Sequence, residues 1–344
     1  MKFALIPWSS KELQDRVFYQ DGPDRKIPTE SAAYRMARHM EELGHEIHTI
    51  DFYENKLEEA DFFLFYVLDW RWVQRLTRNG LASRMVYCNA EPPTVNKLNT
   101  PKGYKLLKQI FPYLLTWNPE WIDNKRIFKR NIPYYFDFHS CEVPFEKRKL
   151  VTAISANKNS HYENELYSER NRAYQFFESK HPEEFDFYGV LWSRKGHPCY
   201  RGTVTSKAET FHHYRFAICY ENTRTDRDYI TEKIWDCLHA QIVPVYAGAR
   251  NITDYIPQKC FIDFYEMGSY EKLYWFISEM TEEQYMEYLH AAEELLRDEN
   301  IRWLFSGERY GELILDAVKH PVDFKATGKG KLYTAVRALR NSGL

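Results

Sequence analysis

Short apolar runs alternate with amphipathic stretches along the whole chain. Runs at 3–7, 46–50, 61–67, 84–89 and 114–117 have the length and residue choice of strands. Residues 29–43, 70–77 and 101–110 repeat apolar positions at helical spacing, the first of them closed by Gly44. Strands and helices in this succession predict a doubly wound parallel sheet. Residues 138–149 are polar, contain Pro144, show no periodicity and read as a linker. A second series opens with strands at 150–155 and 185–189 around a helix at 165–178, and closes with helices at 270–280, 282–297 and 303–319. A chain of 344 residues is long enough for two cores. The expected division is a first α/β domain over 1–140, a second over 150–320 and a tail over 321–344.

The most structured stretch is 219–248, CYENTRTDRDYITEKIWDCLHAQIVPVYAG. It reads as the end of a strand at 214–220, a polar loop, a helix capped by Asp228 that runs from Tyr229 to about Ala240, and a second buried strand at 242–246. A ligand of such a unit sits at the strand's carboxyl end beside the helix N-terminus, where free backbone N–H groups and the helix dipole favour a phosphate. The spacing of Tyr229 and Lys233 would put a phenol and an ammonium on one side of the helix, and Glu232 offers acceptors for sugar hydroxyls. Spacing alone fits equally well a helix that merely packs on the sheet and solvates its Glu and Lys.

A net charge of −2 gives no general attraction to nucleic acid, and no nucleic-acid-binding motif is present, so that partner is not expected. The six cysteines are scattered, with no C-x-x-C pair and no histidine at metal spacing, which suits reduced thiols in a cytoplasm. The chain opens directly on a strand without a secretory profile, and it holds no run of about 18 apolar residues, so no membrane span is expected. The segment 319–344 carries six Lys or Arg against one Asp, with Leu332, Val336 and Leu339 at helical spacing. It reads either as peripheral contact with the inner face of an anionic membrane or as a solvated terminus.

Tyr220, Glu221 and Asn222, then the run from Tyr229 through Ile230, Thr231, Glu232 and Lys233 to Ile234, then Val243, Pro244 and Gly248, resemble the signature of glycosyltransferase family 10, the alpha-1,3/1,4-fucosyltransferases. The resemblance implies a soluble, bacterial-type member with a GT-B fold: two Rossmann-like domains facing across a cleft, acceptor on the first and donor on the second. It implies inverting transfer of L-fucose from the donor GDP-fucose to a hydroxyl of an N-acetylglucosamine or glucose unit in a glycan, as in cell-surface glycan synthesis. Asn222, Tyr229, Glu232 and Lys233 would then bind the donor, Lys233 and Arg170 would neutralise the departing diphosphate, and Glu91 would be the base.

The residues themselves add detail. Arg170, near a helix start, has a fork that can give two parallel bonds to phosphate, with Arg172 as its rival. Glu91 follows the strand MVYCNA and precedes Pro92 and Pro93, which directs its carboxylate to the carboxyl edge of the first sheet. Tyr188 and Gly189 match a Tyr-Gly at a family strand end, where glycine lets backbone approach a ligand. Lys207, and Glu221 as an acceptor for loop N–H groups, complete the candidates. Asp226 and Asp228 form a D-R-D in a loop that varies within the family and read as incidental. With Lys and Arg neutralising the diphosphate, no metal and no other cofactor is required. Two alternatives stay open: another nucleotide-sugar donor on the same fold, and a non-catalytic protein that binds glycan or nucleotide.

Overall fold

The computed structural model describes residues 1–19, 31–88, 90–136, 141–225 and 227–324. They form two compact units, one made of Met1–Tyr135 with the segment from Trp303 onward, the other of Phe136–Arg302. Each unit is a parallel-sheet α/β domain.

The first sheet holds β1 (Lys2–Ile6), β2 (Glu46–Thr49), β3 (Phe62–Phe65), β4 (Met85–Tyr87), β5 (Tyr113–Thr116) and β6 (Ile127–Lys129), in the order β2-β1-β3-β4-β5-β6, with every neighbouring pair parallel. Both faces are covered. Phe63, Phe65, Met85 and Tyr87 enter one core, while Leu64, Val86 and Cys88 enter the other. Alternate residues therefore feed two interiors instead of core and water, which is why these strands read as unbroken apolar runs.

The second sheet holds β7 (Lys149–Ile154), β8 (Phe185–Tyr188), β9 (Tyr214–Tyr220), β10 (Val243–Ala247) and β11 (Ile262–Asp263), in the order β11-β10-β9-β7-β8, again all parallel. The chain steps from β7 to β8 on one side and then returns to lay β9 on the other. That reversal leaves a crevice at the carboxyl ends of β7 and β9, the place where open α/β sheets bind ligands.

Strand Tyr214–Tyr220 and helices Pro101–Ile110 and Glu282–Arg297 occupy the residues expected from sequence. The helix expected over 303–319 is broken: Glu299–Leu304 ends, and Gly307–Lys319 restarts behind Ser306, whose side chain accepts from the Arg309 N–H. The second piece does not close the second domain. Its apolar stripe of Tyr310, Ile314, Leu315 and Val318 packs with Met36, Ala37 and Met40 of helix Ala32–Glu42, so it belongs to the first unit and the boundary expected at 320 moves to Trp303. Among the described residues no helix is long and apolar enough to cross a membrane. Leu332, Val336 and Leu339 of the basic tail lie outside the described residues.

Glycine sets the closeness of that helix pair. A Cβ on Gly307 would lie 2.1 Å from the carbonyl oxygen of Ala32 and 2.9 Å from the Met36 nitrogen, both backbone atoms. At Gly311 the nearest atom is the flexible Met40 Cγ at 3.2 Å. Gly307→Ala should therefore destabilise the first unit by about 1–3 kcal/mol through overpacking. Gly311→Ala should cost less, and thermal unfolding of the two variants side by side reads the difference.

Candidate functional site

An open cavity of about 370 Å3 occupies the crevice of the second sheet. The chain leaving β7 contributes Ser155 and Lys158, the chain leaving β8 contributes Gly189, and the end of β9 contributes Tyr220 and Asn222. Helix Tyr167–Lys180 adds Arg170, and helix Glu232–His239 adds Glu232 and Lys233 from its first turn.

Behind this wall lies Glu221, which is fully buried. Its carboxylate accepts from the Thr231 N–H (2.9 Å) and from the Thr231 hydroxyl (2.8 and 3.0 Å), and it lies 3.2 Å from the Lys233 Nζ. Lys233 also donates to Thr231 Oγ1 at 3.0 Å and to Glu232 Oε1 at 3.3 Å. Burial works against the Lys233 charge, but the Glu221 and Glu232 carboxylates outweigh it and hold the pKa above the usual lysine value. Burial pushes the Glu221 carboxyl up, opposed by Lys233 and by the Thr231 bonds. Glu232 has its side chain about half exposed; what burial it has pushes its carboxyl up, yet the Lys233 and Lys207 cations bring it down to about 2. Lys233, favoured in its charged form, thus lines the cavity beside the ionised Glu232 carboxylate. Gly248 makes room for the arrangement, since a Cβ there would lie 2.3 Å from the Tyr246 hydroxyl and 2.7 Å from Glu221 Cγ.

Arg170 is 4 % exposed and its Nη2 donates to the carbonyls of Tyr220 (2.7 Å) and Glu221 (3.2 Å). Its Nη1 and Nε make no hydrogen bond among the described residues, which leaves donors for an anion. Arg172 faces solvent and pairs with Glu169, so helix phase separates the two rivals in favour of Arg170.

Several expectations change. The helix of the signature begins at Glu232, not Tyr229, and its cap is Thr231, whose hydroxyl accepts from the Lys233 N–H. Asp228 instead adopts φ +66°, accepts from Asn251 Nδ2 and the Tyr255 hydroxyl, and donates its own N–H to Asn251. Tyr229 consequently precedes the helix, is buried, and does not line the cavity, so the expected Tyr229–Lys233 face does not form. Tyr188 also stays off the cavity wall, its hydroxyl paired with that of Tyr214 at 2.8 Å. Gly189 lines the wall at φ +139°, and a Cβ there would meet the Ser155 carbonyl oxygen at 1.8 Å, so the close approach it permits is to β7's exit. Lys207 lines the wall with its Nζ 2.6 Å from Asp236 Oδ2. Asn222 presents a carboxamide without a hydrogen bond among the described residues.

Asp226 lies outside the described residues, and among those described no group of three His, Cys, Asp or Glu side chains is placed to hold a metal. Glu91 stands in the first unit, partly buried on the chain leaving β4. Lys158 was not anticipated: an exposed cation on the cavity wall with no side-chain partner among the described residues. Its position just past a parallel strand's carboxyl end was the available signal.

Residues 144–303 match the family described as glycosyltransferase family 10 (fucosyltransferase), C-terminal part. An alpha-(1,4)-fucosyltransferase of Arabidopsis thaliana is 36% identical over 81 residues, 23% of this chain and 20% of that protein. A GDP-fucose protein O-fucosyltransferase 3 of Homo sapiens is 29% identical over 142 residues, 40% of this chain and 27% of that protein. The chain thus matches about a fifth to a quarter of these relatives' lengths. The crystal structure of an alpha1,3-fucosyltransferase with GDP superposes with a TM-score of 0.58 at 15% identity, covering 95% of this chain and 92% of that one, and the shared fold is GT-B.

Two outcomes follow for the buried pair and its neighbour. Lys233→Met leaves Glu221 buried without its cation and should cost about 3–5 kcal/mol of stability. Adding Glu221→Gln should recover much of that stability without recovering affinity for GDP, measured by thermal unfolding and by calorimetric titration. For Glu232, the folded value of about 2 lies below the ordinary 4.5, so its contribution is fully present above 4.5 and is lost as pH falls toward 2. The gap in Tm between the parent and Glu232→Gln should be widest at neutral pH and close across that window.

Proposed function

Because residues 144–303 match the glycosyltransferase family 10 (fucosyltransferase) C-terminal model, we propose that the chain transfers L-fucose from GDP-fucose to an acceptor hydroxyl with inversion at the anomeric carbon. The observation that carries the reading is the cavity at the switch point of the second sheet, with Lys233 held protonated on its wall and Arg170 offering unused donors beside it. A diphosphate that departs with extra negative charge is stabilised by such fixed cations, placed before the reaction and partly shielded from water. The GDP donor is supported by the human relative's name, which gives GDP-fucose, and by the alpha1,3-fucosyltransferase of the same fold that was crystallised with GDP.

In this mechanism the acceptor oxygen attacks the anomeric carbon as its proton passes to the Glu91 carboxylate. The bond from that carbon to the β-phosphate oxygen breaks, and the electron pair leaves with GDP toward Lys233 and Arg170. One displacement inverts the centre and needs no covalent enzyme intermediate. Asn222 and Glu232 bind hydroxyls of the donor sugars. Lys207, tied to Asp236, shapes the charge of the same wall, and Tyr229 and Glu221 act from behind it.

Two acceptor readings differ by their relatives. The plant relative's name points to a glycan hydroxyl and the human relative's name to a hydroxyl on a polypeptide. The glycan is the first reading, because the 219–248 stretch resembles the signature of the alpha-1,3/1,4-fucosyltransferases. A release assay for GDP with N-acetyllactosamine against a folded serine- or threonine-bearing polypeptide separates them.

Glu91→Ala should lower acceptor-dependent GDP release by about 10²–10⁴-fold, the usual contribution of a positioned base. GDP affinity should stay within twofold of the parent. Undiminished turnover removes Glu91 from the role. A thermal-shift panel of GDP-fucose, GDP-mannose and UDP-sugars tests the donor, since a ligand at 100 times its Kd stabilises by about 2.7 kcal/mol.

A further inference from the structure

Three carbonyl groups of the chain that leaves β4 toward Glu91, those of Cys88, Ala90 and Glu91, accept hydrogen bonds from side chains. Arg130, the residue after β6, donates from Nη1 to the Cys88 carbonyl at 2.6 Å. Trp117, the residue after β5, donates from Nε1 to the Ala90 carbonyl at 2.9 Å. Asn99 donates from its Nδ2 to the carbonyl of Glu91 itself. These three donors are 4, 4 and 2 % exposed respectively, and they come from three separate parts of the chain that meet at the carboxyl edge of the first sheet.

The investment in charge is unusual. Arg130 is buried with no carboxylate partner among the described residues; its other contacts are the Asn131 carbonyl, the Tyr310 hydroxyl at 3.0 Å and the face of the Tyr310 ring at 4.2 Å. A buried guanidinium left without a counter-charge is expensive, and packing alone would be served as well by an apolar residue. Asn99 is itself oriented, because its Oδ1 accepts from the Tyr87 hydroxyl (3.3 Å), which in turn accepts from Asn96 Nδ2 (3.1 Å). Pro92 and Pro93 then restrict the backbone on the far side of Glu91.

We propose that Arg130, Trp117 and Asn99 are positioning residues: a clamp on the carbonyls of Cys88, Ala90 and Glu91 that fixes where the Glu91 carboxylate points and so sets the rate of proton removal from the acceptor. The inference rests on Glu91 being the base. A carboxylate acting on a hydroxyl must lie within hydrogen-bond reach of it, and a misplacement of about 1 Å can cost about 10²-fold in rate. A side chain on an unbraced surface turn would not hold that tolerance.

The test is a double-mutant cycle in the full chain. Trp117→Phe keeps an aromatic side chain, smaller by the pyrrole ring, and deletes one donor, and Asn99→Leu keeps the bulk and deletes another. Arg130→Lys is the conservative arm that keeps charge and one donor, against Arg130→Met, which the contacts to Tyr310 make the variant most at risk of misfolding. Trp117→Phe should lower kcat for acceptor-dependent transfer about tenfold or more, with GDP Kd and donor KM within twofold and cooperative unfolding retained. In the Glu91→Ala background the same substitution should have no further effect, because its action runs through the missing carboxylate. Arg130→Lys should retain more activity than Arg130→Met at equal folded fraction. Additive losses in the cycle, or parental kcat in both Trp117→Phe and Asn99→Leu, overturn the clamp while leaving Glu91 in place. Parental turnover in Glu91→Ala overturns the base and the clamp together.

Discussion

A carboxylate out of reach of water must be satisfied by its neighbours, and Glu221 imposes that demand at the end of β9. It draws the Thr231 N–H and hydroxyl toward itself, which fixes Thr231 as the cap and makes Glu232 the first residue of the helix. It requires a cation, which places the Lys233 ammonium against the cavity wall. It fills the space that any side chain at position 248 would take. The loop, the helix start and the glycine after β10 are therefore one solution to a single burial problem. That is the physical reason why the residues of the 219–248 stretch travel together as a motif. A buried ion pair of this kind adds little to net stability beyond what apolar residues would give. Its return is a charge held in one place.

Both units use arginine in the same unusual way. Arg170 pins the carbonyls at the end of β9 and Arg130 pins the carbonyl at the end of β4. A guanidinium suits the task because it is long, planar and never neutral, so its donors persist at any working pH. Where a parallel strand gives way to a loop, the ladder no longer supplies donors, and an unpaired interior carbonyl is costly. The two arginines supply donors from the side-chain layer and leave each strand exit stiff.

Sequence patterning found what depends on local composition and lost what depends on distant partners. Strand Tyr214–Tyr220 was legible because seven residues in a row are buried or nearly so and rich in aromatic and β-preferring types. The helix start was misplaced because Asp228 has good local capping chemistry, whereas Asn251 and Tyr255, more than twenty residues away, claim its carboxylate. Arg170 and Arg172 could not be separated two residues apart on an uncertain helix, yet one faces the core and the other solvent. Strands β6 and β11, three and two residues long, carry too little pattern to be seen. The double proline drew Glu91 out as the proposed base, but the side chains at 99, 117 and 130 that donate to the carbonyls around it have no common spacing and meet only through the sheet order.

The break at Ser306 and the docking of Gly307–Lys319 on Ala32–Glu42 bear on how the protein is made. A ribosome releases the six strands of the first sheet early, but the helix that covers Met36 and Met40 emerges only after the entire second unit has been synthesised. During that interval the nascent N-terminal half holds an uncovered apolar face, a situation that favours aggregation or capture by a chaperone. Vectorial folding should therefore complete the later-synthesised unit first, and the half that begins the chain should finish last.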